Sequence, residues 1–167
     1  MPRAAVAGGT SDCFLSLDQV PGETHDSAFA GHIEVVGWNW GVSSRGDQVM
    51  GATPRAAADV RHFTFRHLVD SASAGLWSRC VTNAIIPNGL LTQRRAGGPA
   101  AQRFLEIRFK QVRIVDVAVS MSEDNQIPLE TVSFAFESVT MDYAPQAAMG
   151  GAQSGRHSFT WVAGSAR

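Results

Sequence analysis

The chain has 167 residues, of which 44% are hydrophobic and 17% are charged, with a formal net charge of −1. This balance favours one soluble globular domain with a good-sized core, and it gives no support to a nucleic-acid-binding protein or an acidic disordered chain. No apolar run approaches the roughly 18 residues that a membrane span needs, so we expect no membrane insertion. Residues 1–11 are small and polar and predict a loose N-terminal arm, followed by a single domain over 12–167.

Two cysteines, Cys13 and Cys80, lie among apolar residues, and neither belongs to a Cys-x-x-Cys pair. The pattern therefore disfavours a zinc ribbon or a redox dithiol and favours two buried thiols. A disulfide between them is the alternative that the sequence leaves open.

The first strand is predicted over 12–20, where Cys13, Leu15 and Leu17 alternate with Phe14 and polar residues before a Pro-Gly turn.

A second strand is predicted over 29–43, FAGHIEVVGWNWGVS. Period-two alternation places Val36, Trp38, Trp40 and Val42 on one face, which we expect to be buried because two indoles carry much apolar surface. The opposite face carries Ile33 and Val35 and ends in small and polar residues, namely Gly37, Asn39 and Gly41. We expect this end to meet water or another subunit.

Residues 44–59 form the longest stretch without periodicity. Loops of this length are uncommon in a compact domain unless they are functional or disordered. We expect the loop to project and to contact a neighbouring subunit, with a mobile surface loop as the alternative. Its candidate contact residues are Arg45, Asp47, Met50 and Arg55.

The remaining chain predicts one helix and several strands. Helical spacing over 73–84 predicts a helix with five residues on one face, namely Leu76, Trp77, Cys80, Val81 and Ala84. The segment is expected to end at Pro87-Asn88-Gly89. Strands are predicted over 60–69, 90–95, 102–120, 130–143 and 156–162. About seven strands without β-α alternation indicate a mainly β, antiparallel sandwich or barrel.

No constellation of residues predicts catalysis, a metal site or a cofactor. His62 and His67 are five residues apart on a predicted strand and so face opposite sides, and the five histidines are expected to be exposed or at the core edge. Glu130 and Glu137 are likewise expected to be surface charges on opposite faces. The sequence has no Gly-x-Ser-x-Gly motif and no phosphate-binding glycine pattern. We therefore expect a protein that is not an enzyme.

Six pieces of the chain, in order, resemble the Hcp family, the tube protein of the bacterial type VI secretion system. They are DCFLSLDQVPGE, HIEVVGWNWGVS, HFTFRHLVDSAS, LLTQRRAGG, FLEIRFKQVRIVDVAVS and LETVSFAFESVTMDYAPQ. The combination of WxWG, RxAGG and YxPQ is the most specific part. Two features depart from the family pattern, namely the extended N-terminal arm and the final HSFTWVAGSAR. Phage tail-tube proteins, from a related injection machine, share this kind of barrel.

The resemblance implies a β-barrel of two packed sheets with one flanking α-helix and a long protruding loop, assembling as a homohexameric ring. Rings of the family stack into a tube that carries effectors in its lumen, is capped by a spike protein and is propelled by a contractile sheath. It also implies a cytoplasmic protein before firing that is secreted without a cleaved signal peptide. Some members carry a fused C-terminal toxin domain, which we do not expect after Arg167.

Three groups of residues receive roles from this resemblance. Gly37, Asn39 and Gly41 are expected to line the lumen and touch effectors, with an ordinary solvent-facing strand residue as the alternative for Asn39. The 44–59 loop is expected to stack rings. Arg94 and Arg95 are expected to pair with acidic residues of a neighbouring subunit, with a solvated hairpin tip as the alternative.

A different class of function also fits the residues. A monomeric small-ligand or carbohydrate-binding β-barrel would use Trp38 and Trp40 as a stacking platform. This alternative requires indole rings that solvent can reach.

Overall fold

The structure, a computed structural model, describes residues 11–44, 58–95, 102–121, 126–145 and 155–164. This part of the chain is mainly β, with one α-helix, α1 (Ser73–Thr82), and a short 3-10 turn (Ser27–Phe29). The strands are β1 (Ser11–Leu17), β2 (Ile33–Glu34), β3 (Gly37–Asn39), β4 (Val42–Ser44), β5 (Ala58–Val60), β6 (Phe63–Leu68), β7 (Ile86–Arg95), β8 (Arg103–Ser120), β9 (Leu129–Ala135), β10 (Ser138–Tyr143) and β11 (His157–Val162).

The 18-residue strand β8 belongs to two antiparallel sheets. Its first half pairs with β7 on one edge and β10 on the other, which gives sheet A the order β2-β1-β7-β8-β10-β11. Its second half pairs with β9, which gives sheet B the order β8-β9-β6-β3. The register shifts between Ile114 and Asp116, and a bulge of this kind bends a strand. The predicted antiparallel, mainly β class with one helix is confirmed.

The single strand predicted over 29–43 is wrong, because the chain changes sheet in its middle. The Val35 amide donates to the Cys13 carbonyl of sheet A at 2.9 Å, whereas the Val36 amide donates to the Arg66 carbonyl of sheet B at 2.8 Å. β2 and β3, at the far edges of the two sheets, are therefore joined by the chain itself. No ladder of hydrogen bonds between described strands closes the barrel at this seam.

This change of sheet also rearranges the predicted faces. Ile33 and Val35, which were expected on the small and polar side, are buried. Val36 and Val42, which were expected beside the tryptophans, are 50% and 44% exposed. An uninterrupted period of two does not survive a bend between strands, so the two halves of the segment bury opposite sets of residues.

Two further boundaries differ from the sequence prediction. The strand predicted over 130–143 is divided into β9 and β10 at Glu137, whose amide donates to the Lys110 carbonyl at 3.0 Å. Pro87-Asn88-Gly89 lies inside β7 and does not end the helix segment. The helix ends at Asn83, which adopts a left-handed φ of 53°, a conformation that asparagine tolerates better than most residues.

The helix buries less of its predicted apolar face than its spacing suggests. Leu76 is fully buried against the sheets and Cys80 is partly buried, but Val81 is 84% exposed and Trp77 is 43% exposed. The helix therefore covers the core with a narrow stripe and presents the rest of this face to solvent.

An aromatic cluster fills the space between the two sheets. Phe63, Phe65, Phe109 and Phe134 are at most 1% exposed. The Phe134 ring lies 5.2 Å from Phe63 within sheet B and 4.9 Å from Phe109 of sheet A. Rings at these separations attract one another in addition to burying apolar area. The cluster therefore holds the two sheets together.

Replacing Phe134 should test the importance of this cluster. We expect Phe134→Ala to lower the free energy of unfolding by about 3–5 kcal/mol, because it leaves a cavity at the contact between the sheets. Urea unfolding followed by tryptophan fluorescence measures the loss. Phe159→Ala is the control, since Phe159 is 41% exposed and should cost far less. Equal losses in the two variants would show that the cluster has no special role.

The two cysteines are free thiols, so the disulfide alternative is not adopted. Cys13 is buried in sheet A, and this burial raises the pKa of its thiol to about 12. Cys80 is only partly buried on the helix.

Thiol reactivity should follow this difference. We expect an aromatic disulfide reagent at pH 8 to react with Cys80 in the native protein and with Cys13 only after denaturation, since the thiolate is the reactive form. Absorbance of the released thiolate counts the sites. Cys80→Ser should abolish the fast reaction, and a Cys80→Ser protein that still reacts rapidly would contradict the assignment.

Candidate functional site

The outer face of sheet B is built from small and polar side chains brought together by strand register. One row of paired residues runs from Gly37 through Arg66 and Thr131 to Ala118, and the next row consists of Asn39, Thr64, Ser133 and Asp116. Directly paired residues of antiparallel strands point to the same side of a sheet, so the two rows share one surface. We call these eight residues, with Gly41, Arg61 and Arg113, the sheet B face.

Two glycines of this face make room for arginines. A Cβ atom at Gly37 would lie 2.9 Å from Nη2 of Arg66, and one at Gly41 would lie 3.3 Å from Cζ of Arg61. Both arginines are exposed, so their guanidinium groups lie across β3 at the surface. The sequence prediction identified Gly37, Asn39 and Gly41 but missed the arginines, because only the register shows which residues neighbour the glycines.

Hydrogen bonding completes the middle of the sheet B face. Asn39 is exposed between the two glycines, and the hydroxyls of Thr64 and Ser133 lie 2.8 Å apart on adjacent strands. These contacts do not test whether the residues touch effectors or line a lumen, so both roles stay predictions.

The two tryptophans lie on the other side of β3 and serve the core. The Trp38 Nε1–H donates to Oε1 of Gln93 at 3.4 Å, and its ring stacks 5.5 Å from Phe63. The Trp40 Nε1–H donates to the carbonyl of Arg61 at 3.0 Å, and its ring packs 6.0 Å from Phe136. Both indoles are partly buried with their polar atoms satisfied, so they do not offer the open stacking platform that a ligand-binding barrel would need.

The predicted stacking loop begins and ends at the two-stranded sheet of β4 and β5. Val42 pairs with Val60 and Ser44 pairs with Ala58, so the loop is held at its base as a hairpin. The candidate residues Arg45, Asp47, Met50 and Arg55 lie outside the described residues, and their role stays a prediction.

Arg94 is bound within its own chain. Its Nε–H donates to Asp12 at 3.2 Å, its Nη2 pairs with Asp26, and its guanidinium lies 5.2 Å from the ring centroids of Phe14 and Phe29. The pKa of the Asp26 carboxyl is lowered, first by the amide hydrogen bond from residue 28 and then by Arg94. An intersubunit role for Arg94 therefore has to compete with these contacts.

Arg95 is exposed at the end of β7, with its guanidinium 5.8 Å from the ring centroid of Phe104. Of the two predicted interface arginines it is the more available, and the interface role stays a prediction for both.

A buried hydrogen-bonded cluster fixes the helix to the sheets. Nε2 of His67 lies 2.7 Å from Oε2 of Glu130, and the Trp77 Nε1–H donates to Oε1 of the same carboxylate at 2.5 Å. His67 and Glu130 are at most 1% exposed. Both predictions for these residues, an exposed or core-edge histidine and a surface glutamate, are therefore wrong. The alternation of Glu130 with Val132 and Phe134 could have revealed its inward direction.

Asp70 completes this cluster at the start of the helix. Its carboxylate lies 3.6 Å from Nδ1 of His67 and accepts the Ala72 amide at 2.9 Å. Burial raises the pKa of Asp70, although the Ala72 amide and the charge of His67 act in the opposite direction. The cluster ties together β6, β9 and the N-terminal turn of α1.

Removing Glu130 should detach this anchor. We expect Glu130→Ala to destabilise the protein by about 3–5 kcal/mol, because it leaves a buried His67 and the Trp77 Nε1–H without their partner. Urea unfolding monitored by circular dichroism measures the change. Glu137→Ala is the matched control at an exposed position and should change stability by less than about 0.5 kcal/mol. A loss for Glu130→Ala as small as the control would contradict the anchoring role.

Two arginines at sheet A form ion pairs with carboxylates of the same chain. Arg108 pairs with both Glu106 and Asp142, and Arg156 lies 3.5 Å from each of the same two carboxylates. Hydrogen bonds from Ser158 and Arg108, with the charges of the two arginines, lower the pKa of Asp142. This network satisfies its charges within the chain.

The described ranges hold no group of three or more His, Cys, Asp or Glu side chains placed to bind a metal ion. Their one α-helix lacks the length and apolar character to cross a membrane.

Comparisons with known proteins agree on one family. The family described as "Type VI secretion system effector, Hcp" matches residues 14–143. Protein hcp1 of Pseudomonas aeruginosa is 31% identical over 151 residues, which cover 90% of this chain and 93% of that protein. The crystal structure of Hcp1 from Salmonella typhimurium superposes with a TM-score of 0.72 at 28% identity, covering 92% of this chain and 95% of the other. A structure described as a type six secretion system protein reaches a TM-score of 0.81 at 25% identity, covering 93% and 98%.

The two-sheet β fold, the polar outer face of sheet B and these relatives together define a structural protein of type VI secretion. The chain belongs to the Hcp family of type VI secretion tube proteins. This is a family of secreted structural proteins and not a family of enzymes. The resemblance drawn from the sequence is confirmed.

Proposed function

We propose that this chain is the ring subunit of a type VI secretion tube, in which six copies close into a ring and rings stack into a tube that carries effectors. The observation that carries the proposal is the match to the Hcp family over residues 14–143, together with superposition on solved relatives over nine-tenths of the chain. The single domain over 12–167, preceded by the arm at 1–11, is part of the same proposal.

Open strand edges supply surfaces on which a ring can be built. β11 and β3 are edge strands among the described residues, where β11 pairs with β10 and β3 pairs with β6. Strands at the edge of a sheet readily accept contact with another chain. A closed ring requires a head-to-tail interface between two different surfaces of the same subunit, and two separate edges meet this requirement. Arg95, near the end of β7, is the proposed ionic contribution to this interface.

The sheet B face is the proposed lumen wall. Its side chains are mostly glycine, alanine, serine, threonine and asparagine, which hold a layer of water and present no large apolar surface on which a passing protein would stick. The 44–59 loop is proposed to join stacked rings. A spike protein at the tip and a contractile sheath around the tube are the further proposed partners.

The oligomeric state tests the proposal directly. We expect native mass spectrometry at micromolar concentration to give a six-subunit mass, and negative-stain images to show rings. A monomer at every concentration would overturn the ring proposal, because the domain would then satisfy all its surfaces alone.

Labelling at position 39 tests the lumen assignment within those rings. In a Cys80→Ser background, Asn39→Cys should react with a small maleimide but not with a maleimide on a large dextran once rings are stacked. Val81→Cys, on the exposed part of the helix, is the control that should react with both reagents. Equal reaction of Asn39→Cys with both would place it outside the tube.

A further inference from the structure

We infer that the sheet B face selects effectors that present carboxylate-rich surfaces, with Arg61 and Arg66 as the groups that bind them. The inference rests on the proposed tube function, because it assigns a chemical class to the cargo of the proposed lumen wall.

The geometry places two guanidinium groups on either side of Asn39. Arg66 lies over Gly37 and Arg61 lies over Gly41, at the positions where any other residue would project a Cβ atom. Four residues of extended chain span roughly 13 Å, so the two cations mark two sites, one at β3 and one just after it. Both side chains are exposed. The glycines leave room for each long side chain to cross the neighbouring backbone and remain accessible from outside.

Neither guanidinium forms an ion pair with another described residue. Among the described ion pairs, those of Arg94, Arg103, Arg108 and Arg156 all involve carboxylates on or near sheet A. Arg61 and Arg66 form no ion pair within the described part of the chain. A planar guanidinium without a partner binds carboxylates through two parallel hydrogen bonds, and this preference gives the surface its selectivity.

The carboxylates that share this surface lie at its margins. Asp116 is on β8, three strands from β3, or roughly 14 Å at the usual strand spacing, which exceeds a Debye length of about 8 Å in physiological salt. The third arginine of the face, Arg113, lies on the same strand and opposes its charge. Asp59, on β5, precedes Arg61 by two residues without pairing with it. Neither Asp116 nor Asp59 forms an ion pair with Arg66 among the described residues.

Neutral donors between the arginines extend the site. The Asn39 amide and the Thr64 hydroxyl lie in the row between the two guanidinium groups. All four groups donate hydrogen bonds, which suits a segment of aspartate and glutamate side chains and repels lysine-rich segments. Repetition around a ring would multiply a weak contact in each subunit into a continuous basic belt.

Binding of charged peptides to the purified protein tests the inference. The probes are fluorescein-labelled poly-glutamate, poly-lysine and Gly-Ser peptides of about twenty residues, followed by fluorescence anisotropy. We expect poly-glutamate alone to bind, and we expect binding to weaken as salt rises. The double variant Arg61→Gln/Arg66→Gln should weaken poly-glutamate binding by about tenfold or more, since it removes both carboxylate-binding groups.

Two control variants assign the effect to this face. Lys110→Gln removes a positive charge from the exposed outer side of sheet A and should leave the affinity within about twofold. Arg61→Lys/Arg66→Lys keeps the charge and should bind more tightly than the glutamine variant, although less tightly than the natural protein. Circular dichroism and native mass spectrometry on each variant verify fold and assembly. Unchanged binding in the glutamine variant, or an equal loss in Lys110→Gln, overturns the inference.

The same measurements separate this inference from the proposed function. Rings that bind poly-glutamate no better than Gly-Ser peptide overturn the cargo preference and leave the tube proposal intact. A monomer that binds poly-glutamate through Arg61 and Arg66 overturns the tube and retains a carboxylate-binding surface. A monomer that does not bind overturns both.

Discussion

The hydrogen bonding of β8 to three other strands is the constraint on which both sheets depend. Its first half is held between β7 and β10, and its second half is held by β9. A shift of one residue would turn every side chain to the opposite face, so the same slip would expose Phe109 in sheet A and Ile114 in sheet B. The bulge between the halves lets one strand serve both faces of the core, and the aromatic cluster forms where those faces meet.

Much of the fold could be predicted from alternation alone. The period of two in 102–120 and around Phe63 and Phe65 predicts strands correctly, because each has one face in the core. The prediction of one strand over 29–43 was wrong because periodicity does not show which sheet a strand joins. The sheet to which the backbone is hydrogen-bonded changes between Val35 and Val36. The prediction that Pro87-Asn88-Gly89 ends the helical segment was wrong for a different reason. A Cβ atom at Gly89 would lie 2.9 Å from Cδ2 of Leu17, so this glycine permits close packing inside a strand and does not form a turn.

The candidate surface was only half visible in the sequence. Small residues opposite two tryptophans identified Gly37, Asn39 and Gly41, because burial of one face of a strand leaves the other outside. Arg66 is placed beside Gly37 by the register between β3 and β6, and Arg61 is placed beside Gly41 by a backbone hydrogen bond, neither of which a local pattern encodes. Glu130 shows the converse error, since the general exposure of charged residues was given more weight than its alternation with Val132 and Phe134. The buried Glu130 carboxylate is stabilised by hydrogen bonds with His67 and Trp77, which lie on two other elements.

The pairing of β1 with β7 has a consequence for the order of folding during synthesis. Ser11 pairs with Arg95, so the first strand has no neighbour on that side until the helix and the following strand have been made. Contacts between distant segments slow folding, and the apolar side chains of β1, including Leu15 and Leu17, stay uncovered in the interval. β7 is in turn paired with β8, so β1 joins sheet A through a hairpin that is made much later in the chain. The first described strand to be made is therefore paired on that side only after a much later strand has been made.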